Sequence, residues 1–490
     1  MGVGDAASAT RDTRRTRHAV SVCRHSRSRL SGADSEGRAM LDRMTAGIVR
    51  FFERWMPDAL VVAITLTLLT VALVLALTDT APRAAIDAWG DGFWSLLTFT
   101  NQMALSLLLG YALASTAPVR GGLLKAADLV RSPRSAYVMV CLLTGVIAVF
   151  SWATALVAAG VVSRAVGEGC RRRGIRVHYP LLIGSAFSGF VVWHQGVSGS
   201  IPLTLATPGH FLESQIGLIP SSATLFTVWN GLTVAAILLT LPWVMALLHP
   251  KRPENVQEIP DHLCAGPKPG LDAARADAAP VTPASPALRL EQSRLLVLAT
   301  VAGGALFLLT HYGTRGGGLT LNIMNFTLLM AGLLCAGTLQ RYLKAVAGGG
   351  DIVVPFLLQY PFYAGIAGLI ASSGLGNLLV AQASAMASAD SLPLMAFLSA
   401  GLLNVFIPSG GAQWAVQGPI MMSAAQQLGA DLPATAMAVA LGDQWTNLIQ
   451  PLILLPVLTL AQVPARAVMG YTFIALLWTG VIFVTSVMCR

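Results

Sequence analysis

Charge is what this sequence has least of. Asp, Glu, Lys and Arg make up only 11% of it, against roughly a quarter in an ordinary soluble domain. The shortage is concentrated in long apolar runs such as 59–77 and 467–487. Each is about 20 residues long, enough to cross ~30 Å of hydrocarbon as a helix, and this excludes a soluble enzyme fold. Period-2 alternation is missing as well. That excludes a β-barrel, because backbone polar groups in lipid must be satisfied within helices or a closed sheet. Cysteine is sparse: Cys23, Cys141, Cys170, Cys264, Cys335 and Cys489 are scattered, and no pair has metal-ligand spacing. Neither a disulfide framework nor a zinc site follows. His-Glu-x-x-His is absent, and so is a phosphate-binding P-loop, which removes a zinc protease and direct drive by nucleotide. Ala440-Leu441-Gly442-Asp443 is the nearest approach to an intramembrane aspartyl protease motif, and no second membrane aspartate matches it.

What is present is apolar residues, 54% of the chain, and a net charge of +9. The charge does not point to nucleic acid. About a third of the Lys and Arg fall within residues 1–54, and most of the others flank apolar runs. This is the pattern of a protein whose partner is the lipid bilayer. Residues 1–54 read as a basic cytoplasmic tail ending in an amphipathic lead-in. Arg14-Arg15 resembles a twin-arginine signal, but the next apolar segment is too long for a signal core and has no cleavage site. Met40 or Met44 is an alternative start.

Basic residues set the direction of each crossing. Arg43, Arg50 and Arg54 place the first end inside. Span 58–78 leads out, and span 93–116 returns to Arg120, Lys125, Arg131 and Arg134. The apolar stretch 136–166 is basic at both ends, so both ends belong inside. It is too short for two crossings and suits a re-entrant hairpin with its tip at Ser151-Trp152, the alternative being one long helix with a loop that breaks the charge rule. Residues 179–215 form an apolar helix broken at 193–202, and span 223–248 returns inside. The polar linker 249–293 is expected to be cytoplasmic, flexible and without a fold of its own. A connecting segment, 294–318, leads out. Span 319–339 returns to Arg341 and Lys344, and span 352–372 leads out again. A second hairpin, 392–428, enters from outside with its tip at 407–414. The helix 433–461 is broken around 442–451, and span 467–488 ends outside. The expected fold is an all-α polytopic membrane protein with about nine transmembrane spans and two re-entrant hairpins.

Residues 55–248 and 319–490 then read alike: span, span, hairpin, broken helix, span. The first unit starts inside and the second outside. Such an inverted-topology repeat is a mark of transporters, which bind substrate and ions where discontinuous helices meet near the bilayer midplane. Two tips and two breaks are therefore expected to converge. Broken helix ends offer free N–H groups and positive dipole ends to a carboxylate. Gly199, Gly410 and Gly411 permit close backbone approach. Ser151, Ser198, Ser200 and Ser409 add hydroxyls, Trp152 and Gln413 stand beside them at the two tips, and Trp193, Trp414 and Trp445 are candidate apolar walls, with packing or interface anchoring as their competing role. Small residues also serve ordinary helix packing, so the reading rests on their clustering at four breaks. Asp443 is the sharpest single signal, because a carboxylate inside a membrane is costly to keep. With Asn447 and His194 it forms the candidate site of a coupling ion, Na+ or H+; a structural cap is its competing role. No other cofactor and no catalytic residue is expected. No Lys or Arg lies in the four breaks, which favours a substrate of one negative charge over a dicarboxylate.

Several stretches in order carry a resemblance. They are Trp55-Met56-Pro57-Asp58, Trp89-Gly90-Asp91-Gly92-Phe93-Trp94, Gly199-Ser200-Ile201-Pro202-Leu203, Ala206-Thr207-Pro208-Gly209, Phe362-Tyr363-Ala364-Gly365-Ile366, Pro408-Ser409-Gly410-Gly411 and Gln417-Gly418-Pro419. From about Arg50 to the C-terminus the chain resembles the short-chain fatty acid transporter (AtoE) family of the ion transporter superfamily. The resemblance implies uptake of acetoacetate or butyrate across a bacterial inner membrane, an elevator-type fold and a homodimer. The chain departs from the family pattern at the four irregular elements. Ser151-Trp152-Ala153 stands where an Asn-Trp-Gly type of tip is usual, His194-Gln195 where glycines are, Ala412-Gln413 where Gly-His is, and Asp443 where Glu is common.

Overall fold

The computed structural model of the protein describes Arg54, residues 57–265 and residues 285–490. The rest of the basic tail and residues 266–284 of the linker lie outside the described residues. Every regular element described is helical. The principal helices of the first half are α1 (Ala59–Leu77), α2 (Pro82–Gly92), α3 (Leu97–Ser115), α4 (Ala117–Asp128), α5 (Pro133–Phe150), α6 (Trp152–Arg172), α7 (Tyr179–Gly189), α8 (Ser200–Leu205) and α9 (Val228–Leu247). The second half has α10 (Arg294–Gly313), α11 (Leu321–Ala336), α12 (Leu339–Ala347), α13 (Gly350–Ser372), α14 (Leu375–Met386) and α15 (Leu392–Asn404). It ends with α16 (Gly410–Leu428), α17 (Leu432–Thr446), α18 (Pro451–Ala461) and α19 (Ala465–Met488).

Local sequence sets where these helices begin. Asp58 caps α1 by accepting from the Leu60 N–H at 2.8 Å. Ser132 and Ser135 form a capping box around Pro133 at the head of α5. Asp431 caps α17 by accepting from the Ala434 N–H at 2.7 Å. Each satisfies donors that the first helical turn leaves without an intrahelical partner. Among the described residues, seven helices are long and apolar enough to cross a membrane, and the number is nine if the bent pairs α11–α12 and α17–α18 are each one span. An all-α, many-span membrane protein is what the apolar runs implied. The composition of the set differs in two places: the broken helix expected over 179–215 is not in it, because its pieces Tyr179–Gly189 and Ser200–Leu205 are short. Helix α5, expected as a hairpin arm, is itself 18 residues long and among the seven.

Four helices occupy stretches expected to be loops: α2, α4, α12 and α14. Three are short, polar-faced helices that hydropathy over a membrane-length window does not register. The linker also departs from expectation where it is described. Gln257 O accepts from the Tyr179 N–H at 2.7 Å, and Leu263 O accepts from Arg164 Nη2 at 2.9 Å. Ile259 and Leu263 are buried. Two apolar side chains in a polar stretch thus anchor the linker's start to the first half.

The helices pack in two groups. In one, α13 lies against α1, α2 and α3, and α11 against α3 and α10. In the other, α5 packs on α7 and α9, α19 on α7 and α9, and α15 on α17 and α19. Helix α6 touches α3 and α4 on one side and α18 on the other, while α16 touches α13, α14 and α17. The second arms of the two helix pairs α5–α6 and α15–α16 therefore lie between the groups. The pairs turn through similar backbone. Ser151 has φ −153° and ψ 110°, and Ser409 has φ −156° and ψ 112°. Each is the extended residue that starts the second arm. The two broken helices also share a design, for each ends its first part in a 3-10 segment, Phe190–Gln195 or Asn447–Ile449.

Candidate functional site

The first tip is fastened to the first break. Val149 O accepts from the Val197 N–H at 2.7 Å, and Ser198 Oγ accepts from the Trp152 N–H at 3.0 Å. Ser151 caps α6, and its Oγ lies 2.8 Å from Thr154 Oγ1. The rings of Trp152 and Trp193 are 5.7 Å apart. Ser151, Trp152 and Ser198 are thereby engaged in holding one irregular element to another.

The second tip meets both breaks around His194. Nε2 of His194 lies 3.0 Å from Ser200 Oγ and 3.5 Å from Asp443 Oδ2. Gln444 Oε1 accepts from the His194 N–H at 2.8 Å. On the far side of Asp443, Asn404 Nδ2 donates to Oδ1 at 2.7 Å. Thr446 Oγ1 donates to Asn404 Oδ1 at 3.0 Å, and Gln450 Nε2 donates to the carbonyls of Asn404 and Val405. The chain continues through Gln444 Nε2 to Gln195 Oε1 at 3.1 Å, and through Gln195 Nε2 to Asn230 Oδ1 at 3.0 Å. His194 and Asp443 are both 0% exposed, so any net charge they carry is removed from water and weighs heavily on the site.

Gly410 closes the cluster at the head of α16. A Cβ there would run into His194 Nε2 and would lie 3.0 Å from Ser200 Oγ. At Gly411 a side chain would run into the Tyr360 hydroxyl, which itself lies 3.1 Å from Ser409 Oγ. Gly199 sits so close to the backbone of His194 that a Cβ would be 2.9 Å from its carbonyl carbon. Absence of a side chain is what lets these three elements touch. Ser409 does not cap α16 with its own side chain, in contrast to Ser151 at α6, and the Tyr360 hydroxyl meets the backbone of Ala412 in the first turn of α16.

The expected residues divide accordingly. Gly199, Ser200, Ser409, Gly410 and Gly411 gather with His194 and Asp443. Gln413 and Trp414 point into the second helix pair: Gln413 Nε2 donates to Ala400 O at 3.0 Å and to Gln417 Oε1 at 3.1 Å, and Trp414 is fully buried. Asp443 is not in the helix break, as expected, but inside the last turn of α17. The break comes at 447–450. Asn447 lies in that 3-10 segment, and the amide on Asp443 is instead that of Asn404. Several buried polar atoms here make no hydrogen bond: His194 Nδ1, Gln413 Oε1, Asp443 Oδ2, Asn447 Oδ1 and Gln450 Oε1. Four are acceptors. Among the described residues no three His, Cys, Asp or Glu side chains gather as a metal site, so a cation held here would be met by one carboxylate and amide oxygens.

Residues 40–489 match the family model described as short chain fatty acid transporter. The chain belongs to the short-chain fatty acid transporter family. A relative in Escherichia coli (strain K12), provisionally named a short-chain fatty acid transporter, is 40% identical over 447 residues, covering 91% of this chain and 99% of its own. Another, of the same provisional name in Haemophilus influenzae (strain ATCC 51907 / DSM 11121 / KW20 / Rd), is 34% identical over 452 residues, covering 91% and 99%. Two solved transporters share the fold. The YdaH transporter of Alcanivorax borkumensis, described as having an unusual topology, aligns with a TM-score of 0.56 at 17% identity over 88% of this chain and 98% of its own. MtrF of Neisseria gonorrhoeae, described among antimetabolite efflux pumps, gives 0.55 at 16% identity over 90% and 97%.

Three further residues build the site in this family member without having been expected there: Asn404, Gln444 and Tyr360. Asn404 is the one polar side chain large enough to stand out in the run 400–407, and intramembrane polar residues of that kind are a readable signal. Tyr360 carries none, since a tyrosine in an apolar span is ordinary packing material.

Proposed function

We propose that this chain is a secondary active transporter that takes up short-chain fatty acids, such as acetoacetate or butyrate, across the bacterial inner membrane by cation symport. One observation carries the reading. The N-terminus of α16, which Ser409 does not cap with its own side chain, abuts His194 and Ser200 through Gly410, His194 reaches on to Asp443, and no Lys or Arg lies in the sequence of the four irregular elements. Helix N-terminal N–H groups suit a single carboxylate. A coupling cation, Na+ or H+, would then meet Asp443 and balance the charge. His194, Ser200 and Ser409 would orient the substrate, with the acyl chain against neighbouring apolar walls.

The matched backbone of Ser151 and Ser409 and the matched 3-10 segments support an inverted repeat of two re-entrant hairpins and two broken helices. The two helix groups, with α6 and α16 between them, suit an elevator in which one group slides against the other. The family resemblance adds a homodimer. The test is uptake of labelled butyrate, acetoacetate and succinate into proteoliposomes under separate sodium and proton gradients. Butyrate or acetoacetate should accumulate under one gradient, with little succinate. Preferred accumulation of succinate would overturn the substrate class, and export against the imposed gradient would overturn the direction.

A further inference from the structure

Residues 206–218, which follow α8, fold into a closed loop. Its ends meet where Leu205 O accepts from the Ile219 N–H at 3.0 Å. Compact surface loops of this length with touching ends are frequently functional. The middle of this one, 209–217, is braced by its own bonds. Glu213 Oε2 accepts from the Gly209 N–H, His210 Nδ1 accepts from the Leu212 N–H at 3.2 Å, and His210 O accepts from the Glu213 N–H at 2.9 Å. Gly209 and Gly217 bound this piece with φ of 80° and 69°, where glycine is at ease and other residues are strained. It is built as a stiff flap between two glycine joints.

The loop is held on two sides. Thr207 is buried, and its Oγ1 accepts from the Leu321 N–H at 2.9 Å. It thereby satisfies a donor in the first turn of α11 that the helix itself leaves free. The flap reaches α16 instead. Gln215 Nε2 donates to Ser423 Oγ at 2.7 Å, and Gln426 Nε2 donates to Gln215 O at 2.8 Å. From the same flap Phe211 enters between α16 and the pair α3 and α13, where it packs against Leu96, Ala364 and Ala415. Its ring lies 5.4 Å from that of Phe99. A Cβ on Gly411 would in turn lie 3.1 Å from Phe99 Cζ. One ring separates Phe211 from the head of α16.

We propose, on the reading of the head of α16 as the substrate site, that 209–217 is a lid on the outer side of that site, with Phe211 as its plug. Thr207 stays on α11 as a post, while Gln215 and Phe211 lift from α16 to admit substrate. The difference in burial supports this division. Thr207 is shut away from solvent, whereas the two amide bonds to α16 are half-buried or exposed, and bonds of that kind open locally most readily. Ala206-Thr207-Pro208-Gly209, one of the stretches that carry the family resemblance, supplies the post and the first joint. On the orientation read from the basic flanks, the lid faces the periplasm.

Two measurements on the full chain test this. In a background whose native cysteines are replaced, Gln215→Cys/Ser423→Cys is treated with a short bis-methanethiosulfonate, and bridging is verified by peptide mass spectrometry. Uptake of labelled butyrate should fall roughly tenfold and return on reduction with dithiothreitol, while either single variant treated alike keeps its uptake. A bridged protein that transports at the untreated rate would overturn the lid. The other measurement needs no transport. With only Cys141 of the native cysteines retained, Phe211→Ala should speed the reaction of Ser409→Cys with a membrane-impermeant maleimide added outside by roughly tenfold. Cys141, buried in α5, should stay unreactive. An unchanged rate at Ser409→Cys would overturn the proposal. So would faster reaction of both cysteines, because Phe211 would then be a packing residue of the whole fold. Absence of butyrate uptake by the unaltered chain would count against the substrate reading alone, and the labelling rates would still decide the lid.

Discussion

Nε2 of His194 lies 3.5 Å from Oδ2 of Asp443, with both side chains wholly buried. The first belongs to the first broken helix and the second to the second, so this contact joins the two halves of the chain at their least regular points. A charged pair or a charged single group in such a place is costly unless something is gained by it. The gain proposed above is a cation that moves with the substrate.

Gly410 should tolerate no side chain. Gly410→Ala places a methyl group against His194 Nε2 and Ser200 Oγ. Uptake of labelled butyrate should fall by roughly tenfold or more, the scale of a misplaced binding group, while the protein still reaches the membrane. Gly303→Ala, where a Cβ meets nothing within 4 Å, is the matched control and should transport normally.

Substrate should shield the second tip. Ser409 is half-buried and heads α16. In a background whose native cysteines are replaced, Ser409→Cys should react more slowly with a small maleimide when butyrate and the coupling ion are both present. Unchanged reactivity at saturation, in a variant that still transports, would make Ser409 a packing residue.

Asn404 should matter for stability as well as transport. Its amide donates to Asp443 and its oxygen accepts from Thr446. Asn404→Leu leaves a buried carboxylate oxygen without its donor, a loss of about 1–3 kcal/mol or more. A lowered midpoint of thermal unfolding in detergent checks this. Asn404→Gln, which keeps an amide, should be milder.

The inverted repeat predicts opposite access for the flanks of the two helix pairs. Arg131 and Asp390 are both exposed. In a cysteine-replaced background, Arg131→Cys should label from the cytoplasm and Asp390→Cys from the periplasm. Labelling of both from one side would refute the repeat.

Much of this architecture is legible in the sequence because polar residues interrupt otherwise apolar runs. Ser151 and Ser409 announce their tips that way, and Gly196 to Pro202 announce the first break. The second break was misplaced for a physical reason. Gly442 reads as a helix breaker, but it lies within α17, where a Cβ would run into Phe397 O and sit 2.8 Å from Ala400 Cβ. It is a packing glycine that lets α15 and α17 approach. Amphipathic helices such as α12 escaped a reading tuned to membrane-length hydropathy. That His194 and Asp443 share one site follows from the expected convergence of the two breaks, but their direct Nε2–Oδ2 approach was not legible, since nothing in spacing sets atomic contacts between residues in different halves of a chain.

The most direct test of the central claim is Asp443→Asn in proteoliposomes, with concentrative uptake and substrate exchange measured on the same preparation. The substitution keeps the shape of the side chain and removes its charge. Accumulation driven by the ion gradient should be lost while the folded protein remains in the membrane. Surviving exchange would mean that the neutral amide mimics a protonated acid, which favours H+, and loss of exchange together with loss of stabilisation by sodium would favour Na+. If the variant accumulates butyrate at the wild-type rate and to the wild-type level, Asp443 is a structural cap and the account of coupling is wrong.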